Sequence, residues 1–330
     1  MTKVLITWVA WLIGANLSRY LLDRWYEVIG IDNFFWWYKD FVDSRVKLYE
    51  IDLIDEKKVK EIFEQEQIDY VYHLAAYAAE WLSPFIRNFN YTNNVICSIN
   101  IINNCINYNV KKLIFTSSMA VYGIGKPPFT EDQLPAPIDP YGIAKYTVEQ
   151  DLKSAYDQFW LRYTIVRPHN IIGIYQNIRD KYRNVIGIWI RQTIKWENLS
   201  IFWDWTQKRA FSDIAFYMNP FEELMTKGDS ETFNIGADKE YQIIDVANLV
   251  KKIGSSRWYI TNIIHYEPRH EVKNAYSDHT KAKNLLWFQD TTDIEKLITE
   301  MFDWALKQPD REIKVMNYEV EKNIYSFWKK

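Results

Sequence analysis

Tyr141 and Lys145 are the two residues whose types and spacing point most clearly to chemistry. They lie four positions apart in the segment "PYGIAKYTVEQ", so on a helix both side chains share one face. A lysine ammonium beside a phenol favours the phenolate, which can act as a general base near neutral pH. Ser118, in the upstream segment "TSSMAVYG", follows a predicted strand and could hydrogen-bond the same substrate hydroxyl. A Tyr-x-x-x-Lys pair alone is common on exposed helices, so its meaning depends on the elements that position it.

Short apolar strands alternate with amphipathic helices through the first half of the chain. The pattern predicts strands at residues 4–6, 27–31, 70–74, 112–115 and 163–166, and helices at 14–23, 56–64, 84–107 and 141–158. Beyond residue 167 it loosens, with a strand near 232–235 and helices near 244–252 and 293–307. This alternation predicts an α/β fold with a doubly wound parallel sheet covered on both faces.

Ligands of such sheets bind beyond the carboxyl ends of the strands, so the residues that end each strand are candidates for a site. Asp32, in "VIGIDNF", is placed to accept both ribose hydroxyls of NAD, and its charge would repel the 2′-phosphate of NADP. An aspartate that caps a turn is the competing interpretation. The same position at other strand ends is held by Asp52, Leu53, Leu74, Ala75 and Ala76. A solvated loop acid and simple packing of small residues explain these equally well.

Composition limits the classes of protein that the chain can represent. Its 330 residues suit one large domain or two closely joined ones, and a net charge of -3 without a basic stripe gives no indication of nucleic-acid binding. No apolar run reaches ~18 residues and no cationic leader precedes Val4, so we expect neither a membrane span nor secretion. Cys97 and Cys105 lie in one predicted helix, which favours buried, reduced thiols in the cytoplasm. We predict no metal site.

Many motifs in register give the chain a resemblance to a known family. Across residues 3–286 these are "VIGIDNF", "VYHLAA", "NYTNNV", "TSSMAVYG", "YGIAK", "VRPHN", "IFWDWTQKRAFSDI", "FNIGA" and "EPRHEVKNAYSDHTKAKNLL". The chain resembles the extended short-chain dehydrogenase/reductase family, and within it the nucleotide-sugar epimerases of the UDP-glucose 4-epimerase type. The resemblance implies a Rossmann-like NAD-binding domain at residues 1–166, to which later segments return, and a mainly substrate-binding region at 167–330. It also implies a homodimer formed through the helices at 84–107 and 141–158.

The resemblance assigns roles to matching positions. The implied catalytic residues are Ser118, Tyr141 and Lys145. The implied NAD contacts are Trp8, Trp11, Leu12, Ile13, Gly14, Asp32, Asn33, Asp52, Leu53, Leu74, Ala75, Ala76, Asn93, Tyr141, Lys145 and Pro168. The implied contacts to a nucleotide-sugar substrate are Ser118, Asn170, Arg209, Arg269 and Tyr276. The two arginines suit a diphosphate, because the planar guanidinium pairs with phosphate oxygens.

The reaction implied is epimerisation of UDP-glucose and UDP-galactose at C4 through a 4-keto intermediate. The family's 4,6-dehydratases carry Asp-Glu directly after the catalytic serine or threonine, where this chain has Met119 and Ala120, which cannot transfer protons. Tyr276 matches a position where bulk narrows the sugar pocket. Two alternatives stay open: a nucleotide-sugar 4,6-dehydratase, and a catalytically inactive member that serves as a binding or regulatory protein.

Tryptophan is abundant in this chain and glycine is scarce, with 15 and 10 residues respectively. The family's first loop is Gly-x-x-Gly-x-x-Gly, and here its positions are held by Trp8, Trp11 and Gly14. Further tryptophans at family glycine positions or in turn-like settings are Trp25, Trp36, Trp37, Trp81, Trp160, Trp196, Trp203, Trp205 and Trp287. Returning all of these to glycine would bring glycine close to its usual share of about 7%. Those in helical or apolar settings are Trp189, Trp304 and Trp328, and Trp258 fits neither group.

One hypothesis explains both counts. The UGA codon is read as glycine in some bacterial lineages, and translation by another table turns each such glycine into tryptophan. True substitution with loss of cofactor binding is the competing explanation, because an indole at position 11 would fill the space where a pyrophosphate should lie.

Overall fold

Seven parallel strands form the central sheet of the computed structural model, which describes residues 1–182, 184–202, 207–267 and 274–328. The strands of the chain are β1 (Lys3–Thr7), β2 (Glu27–Asp32), β3 (Lys47–Glu50), β4 (Tyr70–His73), β5 (Lys112–Thr116), β6 (Tyr163–Pro168), β7 (Ile171–Ile172), β8 (Leu199–Phe202), β9 (Lys208–Ala210), β10 (Ser212–Asp213), β11 (Glu231–Ile235), β12 (Glu240–Gln242), β13 (Ile263–Tyr266) and β14 (Asn274–Ala275). The order in the central sheet is β11-β6-β5-β4-β1-β2-β3.

The strand order reverses between β1 and β4, which confirms the predicted doubly wound sheet. Strand β1 pairs in parallel with β2 on one side and with β4 on the other, so a crevice opens beyond the carboxyl ends of β1 and β4. Strand β11 pairs with β6, so a segment from the second half of the chain extends the first sheet. The sequence analysis missed β3, whose half-exposed side chains give no continuous apolar run.

Ten α-helices accompany these strands in the described part of the chain. They are α1 (Leu12–Leu22), α2 (Glu56–Glu66), α3 (Arg87–Tyr91), α4 (Cys97–Asn107), α5 (Pro140–Phe159), α6 (Val185–Ile194), α7 (Met218–Glu223), α8 (Ile243–Ser255), α9 (Thr280–Leu286) and α10 (Ile294–Leu306). Among the residues described, none of these helices is long and apolar enough to cross a membrane.

The single helix predicted at 84–107 is wrong, because the structure divides this segment. A 3-10 turn at Ser83–Phe85 precedes α3, and a π-helical turn at Thr92–Ile96 joins α3 to α4. The break falls at Ile86, whose φ of -135° and ψ of 46° are not helical. Only Pro84 and Phe85 of the predicted helix precede this break, which is too few residues for an apolar periodicity to reveal it.

The core lies on both faces of the sheet. Leu5 belongs to the apolar cluster on one face, while Val4 and Ile6 belong to the cluster on the other, and all three are fully buried. A strand buried on both faces needs an uninterrupted apolar run, which is what the sequence shows there. A separate apolar cluster around Trp189 joins α6, α8 and α10 in the second half of the chain. Cys97 and Cys105 are buried free thiols.

Candidate active site

Helix α5 begins with a cap that fixes the backbone at Tyr141. The Asp139 carboxylate accepts hydrogen bonds from the backbone N–H groups of Tyr141 at 2.9 Å and Gly142 at 3.0 Å. A Cβ added at Gly142 would lie 2.7 Å from the carbonyl oxygen of Ala120. The first turn of α5 therefore packs directly on the loop that follows Ser118.

Lys145 is anchored to the end of β5. Its Nζ atom donates to the carbonyl oxygen of Thr116 at 2.7 Å, and the side chain is fully buried. Burial lowers the pKa of Lys145 to about 7, and the nearby Glu149 carboxylate opposes the shift. Ser118 follows β5, and the Lys145 side chain is hydrogen-bonded to the last residue of that strand. Tyr141 lies one helical turn before Lys145 on α5. The structure thus gathers all three predicted catalytic residues at the carboxyl end of β5.

A buried ion pair lies one turn further along α5, and the sequence analysis missed it. Arg167 at the end of β6 makes two hydrogen bonds to Glu149, at 2.6 Å and 2.9 Å, and the Ser117 hydroxyl donates to the same carboxylate at 2.5 Å. The Arg167 guanidinium also donates to the Tyr122 hydroxyl at 2.8 Å. This pair ties α5 to β6 beside Lys145. The signal in the sequence is a glutamate four positions after Lys145, on the same helical face.

Asp32 ends β2 with its carboxylate held by backbone donors. The N–H of Ala10 donates to one oxygen at 3.1 Å and the N–H of Phe34 to the other at 2.9 Å. Burial raises the pKa of Asp32 to about 6, although the N–H groups of Phe34 and Ala10 oppose the rise. The Asn33 amide donates to Asp52 at 2.9 Å. These residues border a cavity of about 10 Å³, enough for one water, whose lining includes Trp8, Asp32, Asn33, Asp52, Leu53, Ala75 and Asn93.

The ends of β1 and β4 are joined by a buried polar chain. The Thr7 hydroxyl oxygen accepts the N–H groups of Leu74 and Ala75, both at 3.0 Å, so its proton goes to His73 Nδ1, 3.0 Å away. Burial lowers the pKa of His73 to about 3, so the ring is neutral at pH 7. These hydrogen bonds fix the end of β4, where the predicted residues Leu74, Ala75 and Ala76 are all buried.

Two indoles, those of Trp8 and Trp11, lie in the loop between β1 and α1, and a third, that of Trp37 after β2, packs against both. The ring centroids of Trp8 and Trp11 are 6.2 Å apart, and the ring of Trp37 lies 6.2 Å from the first and 6.4 Å from the second. Trp11 is the N-cap residue of α1 and makes no side-chain capping hydrogen bond. Leu12, Ile13 and Gly14 form the buried first turn, and a Cβ added at Gly14 would lie 2.3 Å from the carbonyl oxygen of Trp8. Gly14 is thus required for close approach of helix and strand.

A larger cavity of about 300 Å³ lies next to the start of α5. Its lining includes Asn170 and Arg209 as predicted, and also Met119 and Ala120, the two residues after Ser118. Further polar residues of this wall are Glu80, whose role the sequence does not indicate, and Asn184 and Gln207, which belong to no distinctive motif. The cavity is large enough for a small organic ligand.

Five positions singled out in the sequence have a different outcome. The side chain of Tyr276 is not among the described lining of the large cavity, although Ala275 is, and the Tyr276 carbonyl accepts the N–H of Phe129. Pro168 ends β6 opposite Ile235 of β11. Arg269, like Trp203 and Trp205, lies outside the described residues.

Comparison with known proteins accounts for this arrangement. Residues 4–236 match the model of the NAD dependent epimerase/dehydratase family. The chain belongs to this family. It is 27% identical over 328 residues to a UDP-glucose 4-epimerase of Lactobacillus helveticus, covering 93% of this chain and 98% of that one. It is 28% identical to a UDP-N-acetyl-alpha-D-glucosaminuronate decarboxylase of Bacillus cytotoxicus, covering 92% and 97%.

A solved structure shows the same architecture over nearly the whole chain. The UDP-glucose 4-epimerase of Thermotoga maritima, determined with UDP-glucose, superposes with a TM-score of 0.87 at 28% identity and covers 93% of this chain and 99% of that one. The family resemblance inferred from the motifs and the predicted fold are both confirmed. NAD is the cofactor of the family.

The residues at the switch point fit NAD at two places and conflict with it at a third. A buried carboxylate at the end of β2 suits a ribose diol, and the Tyr141–Lys145 end suits a nicotinamide and a reacting hydroxyl. Between them, the pyrophosphate of a dinucleotide needs bare backbone at the start of α1. In the sequence as printed, Trp8 and Trp11 occupy the loop at that place.

Proposed function

We propose that this protein is an NAD-dependent epimerase that interconverts UDP-glucose and UDP-galactose at C4 through a 4-keto intermediate. The observation that supports it is the capped start of α5, which sets Tyr141 and Lys145 at the end of β5 beside the 300 Å³ cavity. The similarity to UDP-glucose 4-epimerases supports the choice of reaction within the family.

The chain's own residues manage the proton. The Tyr141 phenolate removes the proton of the sugar O4 hydroxyl, the buried Lys145 ammonium favours that phenolate, and Ser118 hydrogen-bonds the same hydroxyl. Asp32 would hold the ribose of NAD at the end of β2, and the bound cofactor would supply the acceptor and donor of the C4 hydride. Tyr141 gives its proton back to O4 as the hydride returns, so nothing is consumed.

Epimerisation is favoured over dehydration by the residues after Ser118. Loss of water from C5 and C6 of a sugar needs further groups that transfer protons. Met119 and Ala120 line the cavity at that place and carry none. The 4,6-dehydratase reaction therefore has no support from the site.

A neutral hexose is favoured over a uronic acid by the charges around the cavity. Of its described lining residues, Glu80 and Asp139 are acids and Arg209 is the one cation, which we assign to the diphosphate. A C6 carboxylate would meet like charge without a cation to pair with it. We expect UDP-glucuronate to be turned over at least tenfold more slowly than UDP-galactose, and the variant Glu80→Gln to narrow that gap.

The deciding experiment is conversion of UDP-galactose to UDP-glucose by protein purified from its host, followed by coupled oxidation of the UDP-glucose formed. Conversion that Tyr141→Phe abolishes supports the proposal. Protein that carries NAD but does not convert UDP-galactose contradicts it, whether or not it converts UDP-glucuronate. The indole-filled loop favours a second candidate, an inactive binding protein, and protein from the host without bound NAD would support that candidate instead.

Location and assembly belong to the same proposal. We infer a cytoplasmic homodimer, because a nucleotide sugar is a cytoplasmic metabolite and because two neighbouring helical segments leave aliphatic side chains exposed. Ile96, before α4, and Ile143, on α5, are 47% and 40% exposed. Light scattering with size-exclusion chromatography is expected to give twice the chain mass, and Ile143→Asp is expected to give the monomer.

A further inference from the structure

Six tryptophans have a backbone conformation that side chains rarely adopt. Positive φ angles are found at Trp8 (54°), Trp25 (66°), Trp160 (61°), Trp196 (54°), Trp258 (69°) and Trp287 (54°). In the described residues only three glycines have a positive φ, so tryptophan holds this conformation twice as often as glycine does. The left-handed region is the usual place of glycine, and a bulky residue there is an outlier.

Five of the six follow the end of a helix, at the position where glycine is preferred. After α1, the N–H of Trp25 bonds to Leu22 O and the next N–H bonds to Leu21 O. The same pair of bonds closes α6 at Trp196 and α8 at Trp258. Trp160 and Trp287 end α5 and α9 in left-handed conformation. This bonding pattern is the Schellman or αL cap, whose left-handed residue is usually glycine.

The side chains of these five lie mostly in solvent, and the ring contacts that some of them make, such as that of Trp287 with Lys227, are at the surface. Their exposed fractions are 81% for Trp25, 75% for Trp160, 66% for Trp196, 87% for Trp258 and 60% for Trp287. Trp189 is the opposite case, since it is fully buried in α6 and its Nε1 donates to Ser200 O at 2.8 Å. A large apolar side chain stabilises the fold only to the extent that it is buried. Backbone geometry therefore separates two kinds of tryptophan in one chain.

Two buried tryptophans, Trp8 and Trp36, also lie where a glycine would suit the structure better. Trp8 has the left-handed φ at the turn between β1 and α1, where the first glycine of a dinucleotide loop makes a tight turn. Trp36 is buried, and its Nε1 has no hydrogen-bond partner among the described residues. A buried indole N–H without a partner is costly, and a glycine would remove it.

We propose that the polypeptide made by the host has glycine, not tryptophan, at positions 8, 11, 25, 160, 196, 258 and 287, which leaves at 8 and 11 the bare loop that the family's dinucleotide needs. One codon read as glycine in the host and as tryptophan in the printed translation produces this pattern. Trp11 is included because it lies midway between Trp8 and Gly14 in the three-residue spacing and its side chain caps nothing. Trp258 joins the group on its geometry alone, and Trp189 remains tryptophan.

The consequence is an open anion site at the start of α1. Without the indoles of Trp8 and Trp11, the N–H groups of Leu12 and Ile13 in the first turn have no intrahelical partner and face the freed space. The positive end of an 11-residue helix favours phosphate there. This assignment of the ligand rests on the proposed function, whereas the residue identities do not.

Mass spectrometry of tryptic peptides from the host's own protein tests the residue identities. The peptide of residues 4–19 contains positions 8 and 11, the peptide 25–39 contains position 25, and the peptide 184–191 contains Trp189 as the matched control. We expect glycine at 8, 11 and 25 and tryptophan at 189. Tryptophan at 8, 11 and 25 would overturn the proposal, and glycine at 189 as well would overturn the separation by backbone geometry.

A binding measurement tests the site without any sugar. Protein that has tryptophan at positions 8 and 11 is expected to purify without NAD. The double variant Trp8→Gly/Trp11→Gly is expected to retain one NAD per chain, measured after acid release. Trp160→Gly/Trp258→Gly is the control, because it relieves two strained positions away from the loop and leaves NAD retention unchanged. A double variant that has native circular dichroism but gains no NAD would overturn the pyrophosphate site. One that binds NAD but converts no nucleotide sugar would overturn only the proposed function.

Discussion

The two ends of the cleft along the carboxyl edge of the sheet differ sharply. At one end, Tyr141 and Lys145 are held by a capped helix and by a bond to β5. At the other, Trp8 and Trp11 occupy the loop that a dinucleotide phosphate needs. A protein that had lost its chemistry would have no physical reason to keep the first end intact.

This difference indicates that the unusual tryptophans share a residue type and a backbone conformation rather than a location in the fold. Tryptophans with left-handed backbone recur at helix ends far from any cleft, as at Trp160 and Trp258. Drift away from cofactor binding would concentrate changes at the cofactor site and would use many residue types. The pattern instead indicates one substitution rule, glycine to tryptophan, acting at several positions where the fold needs glycine.

The largest expected effect breaks the intact end. In the chain with Trp8→Gly/Trp11→Gly, Tyr141→Phe should lower kcat by about 10²–10⁴-fold, because it removes the group that accepts the O4 proton. NAD retention should not change. Tyr156→Phe, on the same helix but not part of the site, is the control and should keep full activity. Equal activity of Tyr141→Phe and the parent chain would refute the assigned base.

The parallel sheet could be predicted from the sequence, and Tyr141 and Lys145 could be selected as candidates, because both depend on local patterns. The apolar run at 4–6 and the four-residue spacing of Tyr141 and Lys145 are visible without any tertiary contact. The break at Ile86 and the Glu149–Arg167 pair were missed, because each depends on backbone geometry or on partners distant in sequence. Trp258 could be classified only once its φ angle was known.

The next prediction tests whether the two kinds of tryptophan differ in stability. Trp189→Gly should lower the free energy of unfolding by about 3–5 kcal/mol, because it empties a buried site and removes the bond to Ser200. Glycine in a helix interior adds ~1 kcal/mol to that loss. Urea denaturation measures it through the midpoint. A loss below ~1 kcal/mol would mean that Trp189 is not a genuine core residue.

A smaller effect concerns the ribose end. The pKa of Asp32 is raised to about 6, so its carboxylate is ionised above that pH and neutral below it. The ionised form accepts both ribose hydroxyls, so NAD affinity of the glycine-containing chain should fall by about tenfold from pH 7 to pH 5. Isothermal titration at both pH values measures the change. Asp32→Asn should bind more weakly at pH 7 and show no such pH dependence, and a pH-independent parent chain would contradict the assignment.

The smallest effect has the opposite sign and completes the comparison. Trp258 is 87% exposed with a φ of 69°, so Trp258→Gly removes a left-handed strain of roughly 1–2 kcal/mol and loses little burial. The greater entropy of glycine in the unfolded chain costs roughly 0.5–1 kcal/mol, so the net stabilisation is between zero and about 1.5 kcal/mol. Trp258→Ala is the matched control, because it removes the indole but keeps the strain, and it should stabilise less. If Trp258→Gly instead unfolds at lower urea than the parent, the indole contributes to the fold at that helix end and position 258 is a true tryptophan.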